Sequence, residues 1–390
     1  MKKLLSVLLA AALIFAIAVP AFAVNSYTAV DGSTTTFKKY LTMDAEANVP
    51  NATFTYTIAA GDAAAAVAGS IEILAGITVK NAETNAVTAP TLTASVTFAP
   101  TDVTTAGLPT DAAGSPTAGK KYAEKVLTAD FRGVAFPEPG IYRYVVTEAG
   151  DNQAITNDAI LTRYLDVYVI DNNGSLEVAS YVLHSTDASP VVASTGAAAD
   201  DKSDGYTNVY TTYDLTLSKT VTGNQGSRDK YFAFTVAISD GVAGTKYTVD
   251  LSGADTTTGS NAATLDAYEG KTNPAEITLG ADGQATVTYY LQHGQNIVIY
   301  GLAAGTKVEV TETNEDYTAS YKVNNGTATA GAAATVSNIA ADTTLAFTND
   351  RSGNIPTGVI LTVAPFVVMM LIGLAGIVFL SVKRRKSSRG

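Results

Sequence analysis

The chain has 390 residues, enough for two or three domains, and its middle part is dominated by Ala, Thr, Val and Gly. Once the two terminal segments described below are set aside, 18 Lys and Arg face 36 Asp and Glu, a net charge of −18. This acidity argues against a nucleic-acid partner, since phosphates require a basic surface. The chain contains no cysteine and cannot form disulfides, so an exported protein of this kind would need another covalent reinforcement.

The N-terminal segment has the features of a secretory signal. Two lysines precede an apolar stretch from Leu4 to Val19, and small residues at Ala21 and Ala23 flank one position as signal peptidase prefers. The pattern predicts a signal peptide over residues 1–23, cleaved after Ala23. A membrane anchor is the alternative, and the short apolar run disfavours it.

Residues 24 to about 350 show the alternation typical of β-strands, with β-branched and aromatic residues at period two between Gly, Asn, Asp and Pro turns. The clearest runs are 53–58, 94–98, 142–146, 165–170, 232–236, 285–290 and 297–300. Many short strands without a long helical stripe favour β-sandwiches. Segments 81–120 and 185–204 are predicted to be partly irregular loops.

A weak internal repeat indicates two domains. Each copy contains a Lys, a Glu and an Asn in the same order. The two sets are Lys39, Glu148, Asn208 and Lys219, Glu312, Asn349. An apolar residue stands two before each Lys and an aromatic residue two before each Asn, and residues i and i−2 of a strand share a face. Each Lys and Asn is therefore expected to point inward, and the domains are predicted to span 24–209 and 210–353 with limited freedom between them.

These two sets resemble those of CnaB-type immunoglobulin-like domains, which form internal Lys–Asn isopeptide bonds, and in particular the two-domain major pilins of Gram-positive bacteria. The resemblance implies an all-β fold of two tandem immunoglobulin-like β-sandwich domains. It implies one crosslink from Lys39 to Asn208 and another from Lys219 to Asn349. In that family a Glu on a neighbouring strand catalyses each bond, which points to Glu148 and Glu312 here. Lys38 competes with Lys39, but Phe37 shares a face with Lys39 only.

The implied chemistry has a physical basis. Burial in an apolar core lowers the pKa of a lysine and raises that of a glutamic acid. A protonated Glu is then expected to donate a hydrogen bond to the Asn carbonyl and stabilise the oxyanion, while the core holds the partners in contact. The closed loops of 169 and 130 residues would each stabilise the fold by roughly 5 kcal/mol. Tying a first strand to a last strand would also let tension bypass the hydrogen-bonded ladder.

The C-terminal region reads as a sorting signal. An apolar stretch over 359–382 is long enough to span a bilayer, and the basic tail 383–390 is expected to stay in the cytoplasm. Directly before it, residues 354–358 include Ile355, Pro356, Thr357 and Gly358. This sequence departs from the common Leu-Pro-x-Thr-Gly sortase motif and is similar to the Val-Pro-Thr-Gly variants of some major pilins. The resemblance implies cleavage between Thr357 and Gly358 by a pilin-type sortase. An ordinary single-pass anchor is the alternative.

Polymerisation would also require a lysine nucleophile on the next subunit. The family places it shortly before the Asn of the first domain, and Lys202 lies six residues before Asn208 in an acidic loop, at a slightly different spacing from the family's. A plain surface lysine is the alternative.

The resulting interpretation is a structural backbone subunit of a pilus rather than a turnover enzyme, without cofactor or metal. Only His184 and His293 are present, and no metal-binding, phosphate-loop or serine-nucleophile motif accompanies them. The expected partners are a pilin-type sortase, further copies of the chain, accessory pilins and cell-wall peptidoglycan, at the cell surface after a membrane-anchored precursor stage. A wall-anchored adhesin or accessory pilin that is attached once, and a sortase-anchored hydrolase, are the competing readings.

Overall fold

The computed structural model describes residues 34–66, 72–80, 87–88, 90–132, 134, 136–150, 154–187, 201–259, 268–354 and 358–387. The predicted signal peptide lies outside them. In the first half the strands are β1 Thr34–Asp44, β2 Ala52–Ala60, β3 Leu74–Ala75, β4 Val79–Lys80, β5 Val87–Thr88, β6 Thr91–Leu92, β7 Ser95–Phe98, β8 Thr104–Ala106, β9 Lys120–Asp130, β10 Gly140–Ala149, β11 Ile155–Thr156, β12 Thr162–Asn172, β13 Ser175–His184 and β14 Gly205–Tyr210. In the second half they are β15 Thr212–Thr222, β16 Phe232–Ser239, β17 Lys246–Asp250, β18 Glu276–Thr278, β19 Ala285–Leu291, β20 Asn296–Ala303, β21 Lys307–Glu312, β22 Thr318–Val323, β23 Thr329–Ala330, β24 Ala333–Val336 and β25 Thr343–Asp350. Among the described residues one helix, α1, spans Gly358–Ser387.

Strands β1 to β14 build the first sandwich. One sheet has the order β11-β14-β1-β9-β6 with β8 on β9, and the facing sheet has the order β13-β12-β10-β2-β7 with β3 on β10. β1 and β14 run parallel with Leu41 opposite Asn208. The first strand of this half is thus a direct neighbour of the last.

Strands β15 to β25 build the second sandwich in the same way. Its larger sheet has the order β18-β17-β20-β15-β25-β22-β23, and β19-β16-β21-β24 faces it. β15 and β25 run parallel with Val221 opposite Asn349. In both sandwiches the residue opposite the Asn follows the repeated Lys by two positions, so Lys and Asn are diagonal neighbours on one face.

Burial follows the alternation of the sequence. On β2, Ala52, Phe54 and Tyr56 are buried while the threonines between them are exposed, as period-two side-chain placement requires. Each sandwich encloses one cluster of buried apolar side chains between its sheets. The predicted all-β fold is confirmed. In the Thr- and Ala-rich segment 81–120 the described strands before β9 are only two to four residues long.

The two sandwiches meet end to end at a junction that combines polar and apolar contacts. Asn48 Nδ2 donates to Lys246 O at 3.1 Å, and the hydroxyl of Thr212 lies 3.2 Å from Asp44 Oδ2. Gly301, at φ 71°, abuts Ala47 so closely that an added Cβ would lie 2.7 Å from the Ala47 Cα. The domain boundary between 209 and 210 remains a prediction, and it falls at this junction.

The directions of the strands show on which side of the junction the segments before β14 and after β25 lie. β1 and β14 both run toward the junction, because Asp44 ends β1 beside Thr212. β15 and β25 both run away from it, because they are parallel and β15 begins at Thr212. The segment before β14 and the segment after β25 therefore lie at opposite ends.

Helix α1 carries the apolar C-terminal stretch. Its window Phe366–Arg384 is long and apolar enough to cross a membrane, and none of that window is buried against the sandwiches. Since apolar side chains without protein contacts are stable in hydrocarbon, the helix fits a transmembrane anchor.

Candidate functional site

The first site joins three buried polar side chains from three strands. Lys39 on β1 and Asn208 on β14 are both fully buried, and Glu148 on β10 reaches them from the facing sheet. Lys39 Nζ lies 2.7 Å from Glu148 Oε2, and Asn208 Nδ2 donates to Glu148 Oε1 at 2.9 Å. The carboxylate thus bridges the amine and the carboxamide across the core.

The second site repeats this arrangement. Lys219 on β15 and Asn349 on β25 share one sheet, and Glu312 on β21 faces them. Lys219 Nζ lies 2.5 Å from Glu312 Oε1, and Asn349 Nδ2 donates a hydrogen bond to the same oxygen at 2.9 Å. Two halves with different sequences therefore bury the same three chemical groups in the same order.

The surroundings of each lysine disfavour its charge. Lys39 Nζ lies 4.3 Å from the centre of the Phe54 ring, and Lys219 Nζ lies 4.4 Å from that of Phe232. Burial lowers the pKa of each lysine to about 8, although the facing carboxylate opposes the shift. Burial also raises the pKa of Glu312 above its ordinary value, against the opposing effect of Lys219. A neutral amine is a nucleophile, so each site can supply one beside a carboxamide.

Two details of the expected mechanism are corrected by the structure. Each Glu was expected on a neighbouring strand, but both lie on the facing sheet, because β10 and β21 belong to the sheets opposite β1 and β15. Each Glu was also expected to contact the Asn carbonyl oxygen, but in both sites the amide nitrogen faces the carboxylate. In this arrangement the carboxyl group can carry a proton from the lysine to the leaving nitrogen.

Lys38 occupies the other face of β1. Its Nζ pairs with Glu124 on β9 at 2.9 Å, and both side chains are 42% exposed. Lys39, whose neighbour at i−2 is the buried Phe37, is the inward lysine. The alternation alone distinguishes the two.

The first site contains polar groups that the sequence analysis missed. The hydroxyl of Tyr56, opposite Glu148 on β2, donates to Glu148 Oε2 at 2.7 Å. The turn at Asn157 and Asp158 contacts the Asn208 amide directly. Tyr56 could have been found from its inward position in the 53–58 run, whereas no sequence signal points to the turn.

Lys202 lies on the surface, just before β14. It is exposed, and its backbone forms an isolated bridge with His184 at the end of β13. Asp201 next to it reinforces that bridge, because its Oδ1 lies 3.1 Å from His184 Nδ1.

Of the sorting motif, Ile355, Pro356 and Thr357 lie outside the described residues, and Gly358 begins α1. The chain just before the motif is fixed to the second sandwich, because Asn224 and Gly353 exchange two hydrogen bonds of 2.8 Å.

Comparisons with known proteins find one matching family and several similar proteins. The family described as a domain of unknown function (DUF7601) matches residues 213–351. A Streptococcus pyogenes serotype M1 protein named Pilin is 26% identical over 276 residues, which cover 67% of this chain and 72% of that protein. The Streptococcus pyogenes pilus tip adhesin Cpa is 35% identical over 150 residues, 38% of this chain and 18% of the adhesin. The crystal structure of the Streptococcus pyogenes major pilin aligns with 83% of this chain and all of its own, at 21% identity and a TM-score of 0.49.

Proposed function

We propose that this chain is the polymerising backbone subunit of a sortase-assembled pilus on a Gram-positive cell surface. The observation that carries the proposal is the duplicated buried site, in which a lysine of the first strand and an asparagine of the last strand meet at one carboxylate. The similarity to a curated pilin over 67% of the chain supports it independently.

In this proposal each site makes one covalent crosslink and then stops. Lys39 attacks Cγ of Asn208, the Cγ–Nδ2 bond breaks, and ammonia leaves. Lys219 and Asn349 react in the same way. Glu148 and Glu312 relay the proton between the two nitrogens, which their contacts of 2.5–2.9 Å with both groups favour. The lowered pKa of each lysine supplies the neutral amine that the attack requires.

The ends of the molecule suit head-to-tail linkage. A pilin-type sortase would cleave after Thr357, and Lys202 of the next subunit would take up the Thr357 carbonyl. Lys202 precedes β14, and the described chain after β25, which leads to the sorting motif, lies at the opposite end of the tandem sandwiches, which supports this linkage. A chain of such links extends along one axis, as a fibre requires.

Other parts of the chain fit the same pathway. Helix α1 with its basic end would hold the exported precursor in the membrane until the sortase acts. Accessory pilins would share the fibre, and cell-wall peptidoglycan would receive its base.

The crosslinks are tested by the intact mass of recombinant residues 24–357. The proposal expects a deficit of two ammonia molecules, and Glu148→Ala or Glu312→Ala should each restore one of them. A measured mass equal to the mass calculated for the uncrosslinked sequence would refute both crosslinks. The chain would then be an exported β-sandwich protein without this chemistry.

Polymerisation is tested in a Gram-positive host that carries a pilin sortase. Wild-type protein should form a ladder of covalent multimers on denaturing gels, and Lys202→Ala should abolish it. Lys322→Ala is the matched control, because Lys322 is another exposed lysine, on β22 of the second sandwich. A wild-type protein that is attached only as a monomer would favour a wall-anchored adhesin or accessory pilin, the role suggested by the similarity to the tip adhesin.

A further inference from the structure

The two sites differ in how they hold the asparagine amide. In the first site, Asn208 Oδ1 accepts a hydrogen bond of 2.8 Å from the backbone N–H of Asp158, and Asn208 Nδ2 donates to Asn157 Oδ1 at 3.1 Å as well as to Glu148. In the second site, Asn349 Oδ1 is buried and has no hydrogen-bond partner among the described residues. The carbonyl that must become an oxyanion is thus bound in one site only.

Strand pairing explains the difference. Next to β14, the short strand β11 pairs Thr156 with Val209 and then ends, so Asn157 falls beside Asn208 and the chain turns there. Next to β25, the longer strand β22 continues past the equivalent point and places Ala319 opposite Asn349. A strand residue directs its backbone groups into the ladder, whereas a turn residue can direct its N–H at a side chain.

Side-chain contacts fix the turn in place. Asp158 Oδ2 accepts from the backbone N–H of Thr207 at 2.8 Å and from Arg163 Nη2 at 2.8 Å. Arg163 is buried, with its guanidinium 4.7 Å from the centre of the Tyr206 ring. Asn157 Nδ2 donates to Gly150 O at 2.9 Å, which orients its carbonyl toward Asn208. These bonds preorganise both donors and acceptors before any reaction.

We propose that the Asn157–Asp158 turn is a second catalytic element of the first site, one that the second site lacks. This inference rests on the proposed crosslinking function. The Asp158 N–H binds the oxyanion that develops on Asn208 Oδ1, and Asn157 Oδ1 holds Nδ2 in the orientation in which it leaves. The Asp158 carboxylate and Arg163 act as positioning groups for the turn.

The reaction balances with these groups. The Lys39 ammonium first releases one proton to solvent, which its lowered pKa favours, and the neutral Nζ then attacks Cγ of Asn208, so that negative charge develops on Oδ1 beneath the Asp158 N–H. As the Cγ–Nδ2 bond breaks, Lys39 loses a second proton to Glu148. Glu148 passes this proton to Nδ2, so that ammonia leaves and the carboxylate is restored. Oxyanion donors of this kind typically contribute about 10²–10³ in rate, so the first crosslink should form well before the second.

The test follows both crosslinks in the same full-length chain, made by cell-free synthesis with nanodiscs and allowed to react at pH 6. At that pH, lysines with a pKa near 8 are only about 1% neutral, which slows both reactions into a measurable range. Samples are acid-quenched over time, digested, and quantified by mass spectrometry for the Lys39–Asn208 and Lys219–Asn349 peptides.

Three variants address the turn. Asn157→Ala gives the first site the residue type that the second has at Ala319, and Asp158→Ala releases the turn from Thr207 and Arg163. Each should slow the first crosslink about tenfold, the loss expected from one hydrogen bond worth about 1.4 kcal/mol. Asp158→Asn keeps an acceptor for the Thr207 N–H and should react within about threefold of wild type.

The second crosslink is the internal control, because its rate should not change in any of the three variants. A purely structural role of the turn would instead make Asp158→Asn as slow as Asp158→Ala, since both lose the ion pair with Arg163. A first crosslink that is no faster than the second in wild type, or is insensitive to Asn157→Ala and Asp158→Ala, overturns the inference while leaving crosslinking intact. Absence of both crosslinks from wild type overturns the proposed function with it.

Discussion

Removing the second crosslink should lower the free energy of unfolding of the second sandwich by a predictable amount. The double variant Lys219→Met, Glu312→Gln replaces the buried ion pair with neutral groups of similar size, a change that is often nearly neutral by itself. What remains is the loss of a covalent loop of 130 residues, worth about 5 kcal/mol in the chain-entropy treatment. For a unit of this size we expect the melting temperature of the second sandwich to fall by about 10–20 °C.

Scanning calorimetry of residues 24–354 measures this change, after intact mass has shown that only one ammonia is lost. Lys38→Met, Glu124→Gln is the matched control, because it removes a Lys–Glu pair 2.9 Å apart in which both side chains are 42% exposed. Such surface pairs contribute about 0–1 kcal/mol, so the control should shift the melting temperature by only a few degrees. Equal shifts in the two double variants, or a shift below 3 °C in the core variant, would refute the reasoning.

Three further outcomes follow from the same geometry. With lysine pKa values of about 8, the rate of both crosslinks should rise about tenfold for each pH unit below 8 and level off above it, as time-resolved mass spectrometry would show; a flat profile would contradict attack by an amine that must first lose its proton to solvent. Tyr56→Phe should still crosslink fully, with less than about tenfold loss of rate, because Phe234 stands opposite Glu312 in the second site; an uncrosslinked product would make the hydroxyl essential. Gly301→Val should open the junction, because its Cβ would clash with Ala47, and limited proteolysis should then cut near residue 211; unchanged resistance would argue against a tight junction.

The inward residues were predictable from the sequence because strand alternation is local. An apolar or aromatic residue two positions earlier was enough to separate Lys39 from Lys38. The repeated order of Lys and then Asn also indicated which strand is the first and which is the last in each sandwich. The fold class followed from the same period-two pattern.

The position of the glutamates and of the turn could not be read in this way. Period two says that Glu148 points inward, but which sheet carries it depends on the pairing of distant strands such as β10 and β2. Asp158 acts through its backbone N–H, a group that every residue except proline carries, so its identity contains no signal. Its role depends on β11 ending after Thr156, a boundary that alternation locates poorly.

The two crosslinks would carry load differently in the proposed fibre. Tension that enters at Lys202 passes along β14 and reaches Thr212 directly, so residues 34–200 of the first sandwich lie outside the loaded path. In the second sandwich tension enters at the start of β15 and leaves after β25. The bond from Lys219 to Asn349 would carry this tension directly between the two strands, so the chain between these two residues would bear none of it. The first crosslink therefore retains the N-terminal strand, and only the second one limits extension.

Single-molecule pulling between Lys202→Cys and Asn354→Cys tests this division, since the chain has no other cysteine. Loss of the second crosslink in Lys219→Met, Glu312→Gln should allow an extension of roughly 450 Å, the contour of about 139 residues, whereas Lys39→Met, Glu148→Gln should add none. Moving the first handle to Thr34→Cys brings β1 into the loaded path, and the Lys39 variant should then extend as well. Extension of that variant from the Lys202 handle would contradict the load path, because it would require tension to reach strands that precede β14.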